Sequence, residues 1–292
     1  MLTPFTKENK VDYNALDQII NWYINNRVSG LFAVCQSSEM FYLTLDERIE
    51  IARFVKEKSN NRVPVIASGH ISDSFEGQVE ELNKIASTGV DALILITNRL
   101  AKEEESDFVL MGRLHDLIDK IPSDIPLGFY ECPYPYKRLL SPAIMKECAQ
   151  TGRFFFHKDT CCDIQQINEK LDAIKGTNLK LYNANTATLL QSLKSGAVGY
   201  SGVMANFHPV LYVWLCKSFN SKKAQEISDA LTMCALIERQ LYPVNAKYAM
   251  QLSDIDLEIV SRVKDYKEFS ATFAEEVSAL MRLTEQLKQI IN

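Results

Sequence analysis

Apolar and polar positions follow two different periods along the first two thirds of the chain. Short apolar runs, typical of strands buried on both faces of a parallel sheet, are separated by longer stretches with apolar residues at helical spacing. In the first helical stretch, Leu16, Ile19, Ile20 and Tyr23 fall on one stripe. The pattern predicts strands over residues 30–35, 64–68, 91–96, 126–130, 153–158, 179–182 and 197–201. It predicts helices over residues 12–27, 45–58, 75–88, 104–121, 142–150, 164–174 and 187–195.

This repeated strand-then-helix order matches a parallel α/β fold, the (β/α)8 TIM barrel, in number and spacing. We expect the barrel over residues 1–219 and a C-terminal three-helix region, residues 220–292, packed on it, because no strand signal follows residue 221. An open doubly wound sheet is the alternative, but no strand is followed by a GxGxxG or GxxxxGK loop. Only Met1 and Leu2 precede Thr3-Pro4-Phe5, so the first strand is either very short or begins late.

Composition narrows the class of protein. The chain has 292 residues, 47% of them hydrophobic, and a net charge of -5. A pI near 5.5 argues against a nucleic-acid or anionic-membrane partner. Seven scattered cysteines without a CxxC pair favour reduced thiols and a cytoplasmic location. No apolar run approaches the roughly 20 residues that span a bilayer, and the N-terminus does not read as a targeting segment.

The stretch from Arg153 to Thr160 carries the clearest chemical signal. Side chains alternate along a strand, so Phe154, Phe156 and Lys158 should share one face, with the lysine at the strand's C-terminal end. Burial over aromatic rings disfavours the ammonium form and lowers a lysine pKa. A neutral amine can attack a ketone and form a Schiff base. The alternative is a strand-end lysine that reaches solvent.

In a barrel, the active site lies at the C-terminal ends of the strands. Ser37 and Ser38, with the N–H groups of their turn, could bind a carboxylate or only cap the next helix. Tyr130 could relay protons or serve as an aromatic lid on the core. His157 has the opposite parity to Lys158 and should face the helix layer. The candidates at the strand ends are Gln36, Ser37, Ser38, His70, Asn98, Arg99, Tyr130, Glu131, Lys158, Asn183, Asn185 and Ser201.

No histidines and carboxylates cluster with metal-ligand spacing, so we expect no metal mechanism.

Five ordered stretches carry a further pattern. They are residues 3–5, residues 30–39 continued by 43–48, Tyr130 with Cys132-Pro133, Phe156 to Asp159, and residues 196–206. Together they resemble the dihydrodipicolinate synthase / N-acetylneuraminate lyase family of class I pyruvate aldolases. The resemblance implies a barrel with a C-terminal helical extension, a Schiff-base lysine at Lys158 and a proton-shuttle tyrosine at Tyr130. It also implies a pyruvate-carboxylate turn at residues 36–38, a tetramer of two dimers, and no metal or organic cofactor.

The sequence departs from the family pattern at several positions. In the carboxylate turn, Gln36 replaces a hydroxyl residue and Ser38 replaces a glycine. Leu100 stands where the synthases have a second relay tyrosine, and Pro135 where they have an arginine. These departures leave the carbonyl chemistry in place but put the partner substrate in doubt.

We therefore expect an enzyme, a carbon–carbon lyase that forms an imine between Lys158 and pyruvate or another 2-oxo acid. Glu131, Asn183 and Asn185 suggest hydroxyl-binding groups at the mouth, which suits reversible cleavage of a sugar-acid-like substrate to pyruvate and an aldehyde. The alternatives are a non-catalytic or divergent member that binds a 2-oxo acid, and a dihydrodipicolinate synthase. The expected partners are this small-molecule substrate and further copies of the chain, as a dimer or tetramer.

Overall fold

A computed structural model describes residues 1–291, which contain seven strands joined in one parallel sheet in chain order. Each strand coincides with a predicted apolar run. The fifth and sixth strands have the predicted length, and the other strands are shorter than predicted. Strand β3 is buried along its whole length, as expected for a sheet covered on both faces. The strands are β1 (Leu31–Phe32), β2 (Val65–Ala67), β3 (Ala92–Ile96), β4 (Leu127–Tyr130), β5 (Phe154–Asp159), β6 (Lys180–Asn183) and β7 (Gly199–Tyr200).

The sheet is curled like a barrel. The ring centroid of Phe32 on β1 lies 5.7 Å from that of Tyr130 on β4 and 6.1 Å from that of Phe156 on β5. In a flat sheet, β1 and β5 would lie roughly 19 Å apart, four strand spacings. The curvature therefore brings side chains of opposite strands together inside the barrel.

The prediction of eight strands is corrected to seven within residues 1–291. Residues 1–3 lie beside β1, where the Met1 amino group donates to the Phe32 carbonyl oxygen at 2.9 Å, but they form no ladder. Pro4 follows and has no N–H to donate, and Phe5 turns back to pair with Val11 in an isolated antiparallel bridge. The ladder is therefore open between β1 and β7.

Helices follow the strands and cover the outside of the sheet. Most begin at a polar cap; Thr44, for example, accepts from the Glu47 N–H while the Glu47 carboxylate accepts from the Thr44 N–H. The short helix after β3 was not predicted. The helices up to residue 218 are α1 (Tyr13–Asn25), α2 (Leu45–Ser59), α3 (Phe75–Ala86), α4 (Thr97–Leu100), α5 (Asp107–Ile118), α6 (Pro142–Gln150), α7 (Ile164–Ala173), α8 (Thr186–Ser195) and α9 (Pro209–Ser218).

The remaining described chain is helical. Helices α10 (Ala224–Cys234), α11 (Val244–Gln251) and α12 (Ala271–Ile291) follow, with 3-10 turns at Ala235–Arg239 and Tyr266–Glu268, and no strand comes after Tyr200 up to residue 291. Helix α10 packs on α8, and α12 packs on α9 and α11. Within residues 1–291, no helix is both long and apolar enough to cross a membrane. The division into a barrel of residues 1–219 and a separate helical region remains a prediction.

A buried ion pair fastens the C-terminal helices to the barrel. The Lys247 ammonium on α11 lies 2.6 Å from a carboxylate oxygen of Glu39, and both side chains are fully buried. The second Glu39 oxygen accepts from the backbone N–H groups of Arg262 and Val263. Glu39 directly follows the turn at residues 36–38, so this pair ties the C-terminal region to a strand end.

We expect Lys247→Met to lower the free energy of unfolding by about 3–5 kcal/mol, because it leaves the Glu39 carboxylate buried without its cation. Chemical denaturation checks this. Lys7→Met is the matched control, since it removes an exposed partner of Glu258 and should cost less than about 1 kcal/mol. Equal losses in the two variants would contradict the role of the buried pair.

Candidate active site

Lys158 lies near the C-terminal end of β5 and faces the barrel interior. Its side chain is 7% exposed and lines a cavity of about 400 Å³. The ammonium nitrogen lies 4.4 Å from the Tyr130 ring centroid and 5.8 Å from the Phe32 ring centroid. It has no carboxylate within 4 Å among residues 1–291. Burial lowers the Lys158 pKa, and the more distant Cys35, Cys132 and Glu238 offset this only in part.

Tyr130 ends β4 and is the register partner of Lys158 on the neighbouring strand. Its phenol donates to the Gln36 side-chain oxygen at 3.2 Å. Burial, reinforced by the nearby Cys132, raises the Tyr130 pKa well above its usual value. The phenol therefore carries its proton in the resting protein and can give it up only to a strong base formed in the reaction.

The turn at residues 36–38 is a 3-10 helix at the cavity edge. The N–H groups of Gln36 and Ser37 have no partner within residues 1–291, which leaves two backbone donors for an anion. Ser37 lines the cavity. Ser38 does not line the cavity. Its hydroxyl group instead donates to the Ala33 carbonyl oxygen at 2.7 Å and accepts from the Cys35 N–H at 3.2 Å.

A hydrogen-bonded chain that the sequence reasoning missed orients Ser37. The Tyr23 phenol donates to the Asn206 side-chain oxygen, and the Asn206 amide donates to the Tyr242 phenol at 2.8 Å. The Tyr242 phenol donates in turn to Ser37 Oγ at 2.7 Å. Because the Ser37 oxygen accepts the Tyr242 proton, the hydroxyl proton of Ser37 must point elsewhere. Ser37 lines the cavity, so this proton is available to a ligand there.

The other predicted site residues separate into two groups. Ser201 lines the cavity. Asn183 and Asn185 do not, which corrects their assignment to substrate binding. The Asn183 amide donates to Thr188 Oγ1 at 2.9 Å and Ser192 Oγ at 3.0 Å, and Asn185 is the N-cap of α8. Both asparagines therefore order the β6–α8 connection.

Glu131 and His70 also point away from the cavity. Glu131 is fully buried on the helix side, where Lys170 Nζ lies 2.6 Å from its carboxylate, so it offers nothing to a substrate at the mouth. His70 accepts from the Ile96 N–H at 2.5 Å and lies 3.3 Å from the Gln78 side-chain oxygen. Burial lowers the His70 pKa to about 4. It is a structural residue of the β2–β3 connection.

The loops beyond β3 and β4 offer no free cation to the cavity. Leu100 is buried at the end of α4. Lys137 donates to the Thr160 carbonyl at 2.8 Å, and Arg138 lies 2.8 Å from the Asp107 carboxylate. Neither of these two charged side chains lines the cavity.

Glu238 is a further charged group near Lys158 that the sequence did not reveal. It lies on the 3-10 turn at residues 235–239, which packs against residues 203–206 beside the cavity. The half-buried carboxylate is within electrostatic reach of Lys158 and Tyr242. Burial raises the Glu238 pKa to about 7, with Lys158 and Arg239 acting in the opposite direction. Nothing in the local sequence distinguishes Glu238 from an ordinary helix-surface acid.

Solved structures show that this architecture is shared. A dihydrodipicolinate synthase from Bacillus anthracis superposes with a TM-score of 0.85 at 20% identity, over 97% of this chain and 95% of that one. A prophage protein of the dihydrodipicolinic acid synthase family from E. coli K12, solved in complex with pyruvate, gives a TM-score of 0.84 at 22% identity, over 98% and 96% of the two chains.

The sequence comparisons agree with the fold. A 4-hydroxy-tetrahydrodipicolinate synthase from Clostridium tetani is 27% identical over 262 residues, 88% of this chain and 87% of that protein. The family model described as the dihydrodipicolinate synthetase family matches residues 1–281. The chain therefore belongs to the dihydrodipicolinate synthase family of class I pyruvate aldolases.

Proposed function

We propose that this protein is a class I aldolase whose Lys158 forms an imine with pyruvate or a similar 2-oxo acid. One observation carries the proposal: a desolvated primary amine, with no ion-pair partner among residues 1–291, faces a cavity beside a buried phenol. Burial lowers the Lys158 pKa, which raises the fraction of neutral amine able to attack a carbonyl. Family membership supports the same chemistry.

The reaction follows from the imine as an electron sink. The Lys158 amine adds to the keto carbon, and Tyr130 gives its phenolic proton to the hydroxyl group that leaves as water, so that a protonated imine and a phenolate remain. In cleavage, the bond between carbons 3 and 4 breaks and its electron pair enters the imine as an enamine, while the phenolate takes the proton of the carbon-4 hydroxyl group and an aldehyde departs. In the synthetic direction Tyr130 gives its phenolic proton to the aldehyde oxygen as the carbon–carbon bond forms, and cleavage returns that proton to the phenolate. The high Tyr130 pKa suits a group that is protonated between turnovers.

The turn beside the cavity would bind the carboxylate of the 2-oxo acid. The N–H groups of Gln36 and Ser37 are unpaired within residues 1–291, and the Ser37 hydroxyl proton is free because Tyr242 donates to its oxygen. Three donors converging on one carboxylate would orient the keto carbon toward Lys158. Ser201 lines the same cavity and can bind another polar group.

For the second product we propose a neutral, hydroxylated aldehyde, so that the substrate is a sugar-acid-like 2-oxo acid. Pro135 has no side-chain donor, and Lys137 and Arg138 are engaged elsewhere. A distal carboxylate would therefore find no cation of these loops in the cavity lining. The half-buried Glu238 carboxylate does not line the cavity, but it is within electrostatic reach of Lys158, so its charge disfavours a second anion beside the amine.

Dihydrodipicolinate synthesis is the second candidate, and the names of the curated relatives favour it. A non-catalytic protein that binds a 2-oxo acid is the third, since the altered turn and Leu100 depart from the synthases. For the cellular setting we propose a cytoplasmic homo-oligomer, a dimer or tetramer. Seven free thiols support a reducing compartment.

Treatment with pyruvate and borohydride should leave one reduced pyruvate adduct on the wild-type protein. The Lys158→Ala variant should carry no adduct, because it lacks the nitrogen that forms the imine. Intact-mass measurement followed by peptide mapping checks this. Lys158→Arg should also fail, because a guanidinium stays charged. Lys180→Ala is the control, since it removes an exposed lysine of the neighbouring strand. An adduct at the wild-type rate in Lys158→Ala would remove the basis of the proposal.

Tyr130→Phe should lower kcat by about 10²–10⁴-fold, the usual contribution of general acid–base catalysis, while the pyruvate adduct still forms. The reason is that the aromatic ring beside Lys158 remains and only the proton donor is lost. Steady-state kinetics and borohydride trapping on the same preparation separate the two effects. Unchanged turnover would mean that the proton reaches the aldehyde oxygen by another route.

The substrate class is tested by assaying pyruvate release from sugar acids beside condensation of pyruvate with aspartate semialdehyde. We expect the ratio of sugar-acid cleavage to condensation in the wild type to rise with pH through about 7, because Glu238 then gains the charge that disfavours the anionic aldehyde. In Glu238→Gln this step in the ratio should vanish. Glu226→Gln, an exposed acid on α10, is the control. Efficient condensation without sugar-acid cleavage would instead establish the synthase.

A further inference from the structure

Four ionisable side chains are buried together behind the site, between the sheet and α7. They are Glu131, His157, Asp159 and Lys170, and each is at most 2% exposed. Lys170 Nζ lies 2.6 Å from Glu131 Oε1 and 2.5 Å from Asp159 Oδ2. His157 Nε2 lies 3.5 Å and 3.7 Å from the same two oxygens. We call this group the α7 clip.

The α7 clip holds the residues next to the proposed catalytic pair. Glu131 follows Tyr130, and Asp159 follows Lys158, on two strands where Tyr130 and Lys158 are register partners. Because side chains alternate, the two carboxylates point outward while the phenol and the amine point toward the barrel interior, where the amine lines the cavity. The single Lys170 ammonium therefore joins the two strands directly behind the atoms that would react.

Each carboxylate also fixes the backbone at its strand end. Glu131 Oε1 accepts from the Leu140 N–H at 2.8 Å and Oε2 from the Thr160 N–H at 3.0 Å. Asp159 Oδ1 accepts from the Cys161 N–H at 3.1 Å. Burial would raise the Asp159 pKa, but the neighbouring His157 and the Lys170 ammonium outweigh it and keep the pKa low. The same carboxylates raise the Lys170 pKa despite its burial.

A metal ion is the other group that such a cluster could bind. One ligand atom each from Glu131, His157 and Asp159 lies within 4.8 Å of the others. The Lys170 ammonium already occupies the position between the carboxylates, and its charge would repel a divalent cation. Lys170 is therefore the cation that this cluster holds, and the effect of the cluster must come through the strands that it joins.

We propose that Lys170 is a positioning residue that sets the separation between the Tyr130 phenol and the Lys158 amine. A buried ion triad is weak evidence for stability, since apolar replacements of similar volume are often neutral. Geometry is the better explanation, because a misplacement of about 1 Å at a reacting centre can cost on the order of 10²-fold in rate. This inference rests on the proposed function for its kinetic consequence, but not for the geometry itself.

The kinetic test is a double-mutant cycle between Lys170→Met and Tyr130→Phe. In the wild-type background, Lys170→Met should lower kcat by roughly 10- to 100-fold while the pyruvate adduct still forms. In the Tyr130→Phe background it should change kcat by less than about threefold, since the phenol that it positions is already absent. Equal losses in both backgrounds would assign Lys170 a merely structural role. Lys175→Met, an exposed lysine just beyond α7, is the control and should change nothing.

A second variant covers the possibility that Lys170→Met does not fold. Glu131→Gln/Asp159→Asn/Lys170→Met removes every charge of the triad, so no buried charge of it is left uncompensated. We expect this protein to fold, with kcat reduced as in Lys170→Met. Wild-type kcat in the triple variant would overturn the proposal.

The geometric test does not depend on catalysis. In crystal structures of the wild type and the triple variant, the distance from the Tyr130 hydroxyl to the Lys158 amine should differ by about 1 Å. Identical positions would overturn the positioning role. If the wild type forms no pyruvate adduct, the proposed function fails, and this distance still decides the inference.

Discussion

The site depends on one constraint, the register of β5 against β4. It places Lys158 and Tyr130 side by side in the barrel interior and sends the carboxylates that follow them to the helix layer. A slip by one residue would exchange the two faces. Asp159 would then enter the cavity and Lys158 would meet the helices. Within residues 1–291 no carboxylate lies within 4 Å of the Lys158 amine, so the pairing of β4 with β5 also sets the electrostatic surroundings of this amine.

Acidic side chains near the strand ends are paired with lysines other than Lys158. Glu131 and Asp159 share Lys170 on the helix side, and Glu39 is paired with Lys247. Among carboxylates, Glu238 is the one whose charge raises the Lys158 pKa. Burial therefore dominates the Lys158 pKa, whereas a free Asp159 on the cavity side would have raised it.

Strand and helix periodicity predicted most of the fold, and alternation predicted that Lys158 would face inward and His157 outward. The same alternation sends the side chains of Tyr130 and Glu131 to opposite faces of the sheet. The interpretation of Glu131 as a residue of the barrel mouth failed because it did not apply this rule. Asn183 and Asn185 failed for another reason. Asparagine after a strand satisfies the first turn of the next helix as readily as it binds a ligand, and only the coordinates distinguish the two uses. The missing eighth strand reflects Pro4, whose lack of an N–H limits a ladder.

Tyr242 and Glu238 could not be predicted from the sequence, because the contact between Tyr242 and Ser37 spans 205 positions and no local pattern marks it. These residues show how the C-terminal helices take part in the site. Tyr242 orients Ser37, Lys247 anchors Glu39 just after the same turn, and Glu238 brings a charge near Lys158. The amine proposed to form the imine lies on β5 and the proposed proton donor lies on β4, whereas residues 235–247 add a charge near Lys158 and a hydrogen bond to Ser37. We therefore infer that substitutions in this segment alter substrate preference more than they alter the proposed imine chemistry at the strand ends.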